Sequence, residues 1–148
     1  MTKVLVVDDD PDIRWLTRTI LGDRFEVVEA ASGTAALDVL GGDQRIDAVV
    51  LDVQMPELDG WDTLAAIRRD PKLSILPVVL CSVKSEVPDA RRAWQLGCDA
   101  LIGKPFAIDE LEMAVIDVLD RTDADRTRKR EQALAALDDL EVGREPSR

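Results

Sequence analysis

The chain has 148 residues, enough for one domain with a sizeable core and a modest appendage. It contains no histidine, which excludes a phosphohistidine donor, His-based acid–base catalysis and histidine-ligated zinc. A net charge of −11 argues against direct binding to nucleic acid or an anionic membrane, and the absence of a leader-like start or a bilayer-length apolar run predicts a soluble, cytoplasmic protein. Cys81 and Cys98 lack motif spacing and read as reduced thiols of such a protein.

Val4–Val7 is a continuous apolar run closed by Asp8, Asp9 and Asp10, as expected of a strand buried on both faces. Ile13, Leu16, Ile20 and Leu21 then form one helical stripe ending at Gly22, with Asp10 and Pro11 at the helix start. Phe25–Glu29 is only partly apolar and suits an edge strand. A second helix runs from a Ser32 cap through Ala36, Leu37 and Leu40 to Gly41-Gly42. Ala48–Leu51, closed by Asp52, is the next buried strand, and Asp59 is placed to cap a third helix with Trp61, Leu64 and Ile67 inward. Val78–Cys81, closed by Ser82, is a fourth strand. The helix after it starts near Pro88, faces Ala90, Ala93 and Leu96 inward and ends at Gly97. Leu101–Ile102 is a brief fifth strand. A fifth helix carries Ile108, Leu111, Val115 and Val118, with Ala107 a weak cap at its start.

Residues 1–121 are expected to form the domain, and 122–148 a charged, partly helical C-terminal extension. Arg121–Glu131 is highly charged with no apolar stripe, and Ala133, Leu134, Ala136, Leu137 and Leu140 give only about two turns of weak seam. Gly143–Arg148 reads as a frayed end. The basic Arg126–Arg130 and acidic Asp138–Glu141 segments are expected to pair between chains in antiparallel fashion, reinforcing a dimer that they would not create alone.

Strands alternating with helices through short connections predict a parallel sheet wrapped by helices. The acidic residues that close two buried strands then converge on the carboxyl edge of the sheet, where an open α/β fold places its site. Crowded carboxylates repel and are tolerated only when a cation neutralises them. The pattern therefore asks for a divalent metal and a buried lysine, and Lys104 can be the lysine.

Four motifs in order, Val-Val-Asp-Asp-Asp, Leu-Asp-x-x-Met-Pro-x-x-Asp-Gly, Cys-Ser and Lys-Pro-Phe, make residues 3 to 120 resemble the receiver domain of bacterial two-component response regulators. The resemblance implies a flavodoxin-like, doubly wound, five-stranded parallel sheet of order 2-1-3-4-5 with five helices. It implies a stand-alone, chemotaxis-regulator-like phosphoprotein that carries an aspartyl phosphate on Asp52, received from a cognate histidine kinase or phosphotransfer protein. Magnesium would be held by Asp8, Asp9, Asp52 and the backbone carbonyl of Gln54, with Asp8 acting chiefly through a water. Lys104 would pair with Asp52 and then with the phosphoryl group, Ser82 would donate its hydroxyl, and the Lys104–Pro105 bond would be cis. Such a protein is not an enzyme in the ordinary sense, since it catalyses only its own phosphoryl transfer and slow autodephosphorylation. Signalling would leave through the fourth helix, fifth strand and fifth helix, with Trp94 and Leu101 as the apolar contact for a partner or a homodimer. Leu101 departs from the family, which often has an aromatic there, so rotation of an aromatic ring cannot be the readout. Trp15, between Arg14 and Arg18, flanks the first helix where kinases dock. Gln54 and Lys84 flank the site at positions that admit or block water.

Two rival readings use the same residues. A receiver cut from a longer kinase, cyclase or transcription factor would make residues 121–148 an outgoing linker. A haloacid dehalogenase-type phosphohydrolase would make Asp8 the nucleophile and Asp10 the acid–base. Asp12, where that family has threonine or valine, and the lack of an acidic pair after Lys104 speak against the hydrolase.

Overall fold

In the computed structural model, which describes residues 1–83 and 87–143, the apolar runs become the strands of one parallel sheet. These are β1 (Lys3–Val7), β2 (Glu26–Ala30), β3 (Ala48–Asp52), β4 (Val78–Ser82) and β5 (Ala100–Gly103), in the order β2-β1-β3-β4-β5. The helices are α1 (Pro11–Leu21), α2 (Gly33–Leu40), α3 (Gly60–Arg69), α4 (Val87–Leu96), α5 (Ile108–Asp120) and α6 (Asp123–Gly143). The strand order is the expected one; the helix count is six, not five.

The period of two along each strand divides the core into two layers. Leu5, Val7, Val49, Leu51, Val78 and Leu80 face α2, α3 and α4, where they meet Ala36, Leu64, Ile67 and Ala93. Val4, Val6, Val50, Val79 and Ile102 face α1 and α5, where they meet Ile20, Leu21, Leu111, Val115 and Val118. Each fully buried valine or leucine here contributes about 1.5–3 kcal/mol relative to exposure. The caps follow the sequence: the side chains of Asp10, Ser32 and Asp59 accept from the amides of Asp12, Ala35 and Asp62, and Ala107 provides none. Gly97 ends α4 with φ of 96°, a conformation that favours glycine. Both cysteines are buried free thiols. No helix among the described residues is long and apolar enough to cross a membrane.

Three residues assigned to the stripes of the first and fifth helices do not lie in the core. Ile108 is 63% exposed and Leu16 is 38% exposed, while Ile13 is half-buried. All three occur in the part of the helix that overhangs the carboxyl edge of the sheet.

The larger departure is α6. Apart from Asp125 in the first turn, its partly or fully buried positions among residues 123–140 are 126, 129, 130, 133, 134 and 137, a single helical face that packs along α4. That face begins with basic residues. They converge on Asp99, whose side chain is fully buried just before β5. Its carboxylate accepts from the Val78 amide at 2.9 Å, from Arg68 Nη2 at 2.9 Å and from Arg130 Nη1 at 2.6 Å. Arg126 Nη1 stands 3.1 Å from the same carboxylate, and its Nη2 donates to the Ile75 carbonyl at 2.8 Å. Arg68 also donates to the carbonyls of Gly97 and Leu76. Arg126 and Arg130 thus find their anion in their own chain, and Asp138 pairs with Arg91 of α4. The charge pattern suggested pairing between chains; here these groups are engaged within one chain. Residues 144–148, most of the segment read as frayed, lie outside the described residues.

Removing Asp99 leaves three guanidiniums around a site with no carboxylate. Asp99→Ala is expected to cost about 3–5 kcal/mol in denaturant unfolding. Arg130→Ala should cost distinctly less, because Asp99 keeps Arg68 and Arg126.

Candidate functional site

Strand register assembles the site. Val7 of β1 pairs with Leu51 of β3, which sets Asp8 beside Asp52; Asp52 pairs with Cys81, and Ser82 pairs with Gly103, the residue before Lys104. Four strand ends therefore deliver Asp8, Asp52, Ser82 and Lys104 to one edge. Asp8, Asp52 and Ser82 are buried, whereas Asp9 is exposed.

Lys104 is anchored by its backbone, its amide donating to the Ser82 carbonyl at 2.8 Å, and the peptide bond to Pro105 is cis. Its ammonium lies 2.7 Å from Asp8 Oδ2 and 2.8 Å from Asp52 Oδ1. Asp8 is held in turn by the Asp10 amide, which donates to Oδ1 at 3.0 Å. Arg14, on the first turns of α1, donates to the Asp8 carbonyl at 2.7 Å and steadies the loop. The sequence reading missed that role, because an arginine flanked by a tryptophan looks like surface.

The loop after Asp52 comes back against its own strand. A Cβ at Gly60 would lie 2.3 Å from the Asp52 carbonyl oxygen, so only glycine permits this approach. The same loop passes through Glu57 with φ of 64°. Gln54 is exposed and lines the cavity of about 420 Å³ shared by Asp8, Asp9, Asp52 and Lys104, whose apolar rim includes Ile13, Leu16 and Phe106. A second cavity of about 550 Å³ opens on the other side of Gln54, toward Ser82, Trp61 and Asp89. Arg92 of α4 covers the Trp61 ring there at 4.6 Å.

Burial raises the Asp52 carboxyl above its ordinary value, and Asp8 and Asp9 add to this against the opposing Lys104 ammonium. Burial alone would lower Lys104, but its hydrogen bonds to Asp52 and Asp8 leave it raised and charged. Among the described residues, one oxygen each from Asp8, Asp9 and Asp52 lies within 4.8 Å of the others. The donor set is all hard oxygen, and three carboxylates against one ammonium leave an excess of two negative charges. A divalent cation such as magnesium fits both the chemistry and the charge.

The remaining predicted positions lie away from this edge. Trp94 and Leu101 are half-buried against the α2, α3 and α4 layer of the core, and Trp15 is 67% exposed on α1. Lys84 lies outside the described residues.

An acidic pocket with a lysine on a five-stranded doubly wound sheet defines a receiver domain. A sequence profile of the response regulator receiver domain matches residues 4–116, and the chain belongs to that family. It is the receiver domain of a two-component response regulator. It is 38% identical over 125 residues to response regulator Rre1 of Synechocystis sp., covering 82% of this chain and 53% of that protein. It is 35% identical over 122 residues to response regulator SaeR of Staphylococcus aureus, covering 82% and 52%. The chain thus spans about half the length of the curated relatives it matches. Among solved structures, chemotaxis protein CheY4 of Vibrio cholerae superposes with a TM-score of 0.76 at 29% identity, over 80% of this chain and 99% of that one. Response regulator TrrA of Thermotoga maritima, solved in complex with Mg2+-BeF, gives 0.70 at 31% identity, over 80% and 100%.

The raised Asp52 has a measurable consequence. A carboxyl with a higher pKa in the folded state supports folding at low pH. It loses that support as pH rises from 3.8, the ordinary aspartate value, through the folded value. Asp52→Asn should therefore melt higher than the wild type at pH 7 without metal. The gap should close as pH falls into the carboxylate range, and narrow at pH 7 when magnesium is added. A variant that melts lower than wild type in magnesium-free buffer at pH 7 would contradict this reading.

Proposed function

We propose that Asp52 is the phosphoacceptor, the observation that carries this being its buried carboxylate at a strand end with Oδ1 2.8 Å from the Lys104 ammonium. In the proposed step an Asp52 oxygen attacks phosphorus in line. A P–O bond forms, the P–N bond to a donor histidine breaks, and the imidazole keeps the bonding pair and takes up a proton. These 148 residues have no histidine, so the donor histidine lies outside them, on a histidine kinase or phosphotransfer module.

Each neighbouring residue has a part in this reading. Lys104 moves from the Asp52 carboxylate to a phosphoryl oxygen, and Ser82 donates its hydroxyl to another, so both bind the transferred group more tightly than the resting site. Asp8, Asp9, Asp52 and the Gln54 carbonyl would hold magnesium, which when bound offsets negative charge on the carboxylates and phosphoryl oxygens. The signal leaves through the surface of α4, β5 and α5, with Trp94 and Leu101 its apolar part. A leucine at position 101 limits the readout to a shift of α4. Residues 1–121 carry this function.

Incubation with a small acyl phosphate and magnesium should add one acid-stable, base-labile phosphoryl group. Asp52→Asn should abolish the labelling and chelation should prevent it; full labelling of Asp52→Asn, or labelling confined to Asp8, would overturn the assignment. In a separate titration, Lys104→Ala should bind magnesium at least as tightly as wild type, because the cation it removes competes with the metal for the same carboxylates. A marked loss of affinity would mean that Lys104 organises the metal ligands.

A further inference from the structure

Asp8 is held at every polar group. Its amide donates to the Ala30 carbonyl of β2 at 3.2 Å, its Oδ1 accepts from the Asp10 amide and its Oδ2 from Lys104. Its carbonyl accepts from Arg14 Nη1 at 2.7 Å. Arg14 Nε in turn stands 3.4 Å from Oε1 of Glu29, the residue of β2 that precedes Ala30. A chain of polar contacts therefore runs from the edge strand through Arg14 to the peptide between Asp8 and Asp9.

The direction of that guanidinium matters. Arg14 is a cation on the helix that leaves the acidic edge, with its amide bonded to the Asp10 carbonyl and its side chain only 18% exposed. Among the described residues it nevertheless makes no ion pair with Asp8, Asp9 or Asp52, whereas Lys104 pairs with two of them. It lines the neighbouring cavity with Trp15, Arg18 and Glu29, and not the acidic one. Glu29 takes the charge, and the Asp8 carbonyl takes the hydrogen bond. A guanidinium inside the acidic cavity would compete with a metal for the carboxylates. Turned outward, it fixes the peptide that carries two of them.

We propose that Arg14 is a positioning residue for the divalent cation, held off the carboxylates by Glu29 and setting the Asp8–Asp9 peptide so that both side chains converge with Asp52. This rests on the reading of Asp8, Asp9 and Asp52 as magnesium ligands, and it reverses the sign expected of a nearby cation. Through charge alone, loss of Arg14 would tighten magnesium binding, as loss of Lys104 should. Through positioning, loss of Arg14 weakens it. The exposed Asp9 carboxylate has no hydrogen bond or ion pair among the described residues, so its backbone is what places it.

Calorimetric titration of the full, metal-free chain with magnesium, without a phosphoryl donor, tests this. Ionic strength is set at roughly 0.15 M, where exposed charges more than about 8 Å apart are largely screened. Arg14→Met, which keeps the stem and removes the donors, should weaken binding at least about threefold. Glu29→Gln, conservative in shape, should weaken it at least about twofold in the wild type and less than about 1.5-fold in Arg14→Met, because it acts through Arg14. Arg18 also pairs with Glu29 but makes no contact with Asp8. Arg18→Met removes the same charge one turn along α1 and should change affinity less than about twofold. A gain, no change or a smaller loss in Arg14→Met overturns the positioning role and leaves the ligand assignment standing; so does an equal loss in Arg18→Met. No loss in Glu29→Gln, or a loss undiminished in Arg14→Met, overturns the part given to Glu29. A wild type without saturable binding overturns the ligand assignment and the positioning role together.

Discussion

The ammonium of Lys104 between the carboxylates of Asp8 and Asp52 is the contact on which the acidic edge depends. Two buried carboxylates on adjacent parallel strands repel, and without a cation between them one would have to take up a proton. Every local feature serves to place that ammonium. The Asp52–Cys81 and Ser82–Gly103 registers set the strand ends level, and the Ser82 carbonyl holds the Lys104 amide. Gly60 lets the loop after Asp52 return without pushing the strand aside. One lysine still leaves Asp9 and the remaining excess charge uncompensated, so the resting site is electrostatically incomplete and receptive to a hard divalent ion.

The opposite end of the sheet has the inverse arrangement. There a single buried carboxylate, Asp99, gathers Arg68, Arg126 and Arg130, and the excess is positive. The parallel α/β architecture sorts charge this way because every crossover helix runs counter to the strands. Helix N-termini, with their partial positive charge, gather at the carboxyl edge, and helix C-termini gather at the other. Asp10 and Asp59 cap α1 and α3 beside the acidic site. Arg68 lies in the last turn of α3 and donates to the Gly97 carbonyl at the end of α4. The capping aspartates and Arg68 sit where the helix dipoles favour them, whereas Asp99 is held there by its arginines.

Much of this was legible in the sequence, for physical reasons that also explain the misses. A strand buried on both faces must be continuously apolar, so a charged or polar residue that closes it is conspicuous; Asp8, Asp52 and Ser82 stood out on that ground, and Lys104 by its place after the last strand. Ile13, Leu16 and Ile108 misled because periodicity reports which face of a helix is apolar and not how far the sheet extends beneath it. Their side chains reach past the last strand residue and either rim the acidic cavity or meet solvent. Asp99 was passed over because an aspartate before a short strand looks like a turn residue. α6 was read as two weak turns because half of its contact face is arginine and lysine, and apolar periodicity is blind to a helix that docks by charge. The spacing of Arg126 and Arg130, one helical turn apart on the buried face, was the available signal.

α4 is the element that touches both ends. It begins beyond the strand that ends in Ser82, carries Arg92 over the Trp61 ring beside the acidic site, and ends at the carbonyl that Arg68 holds. Its lower end is held through the Gly97 carbonyl, which accepts from Arg68 of the Asp99 network. α4 is thus the element that joins the surroundings of the acidic edge to the Asp99 network at the other end of the sheet.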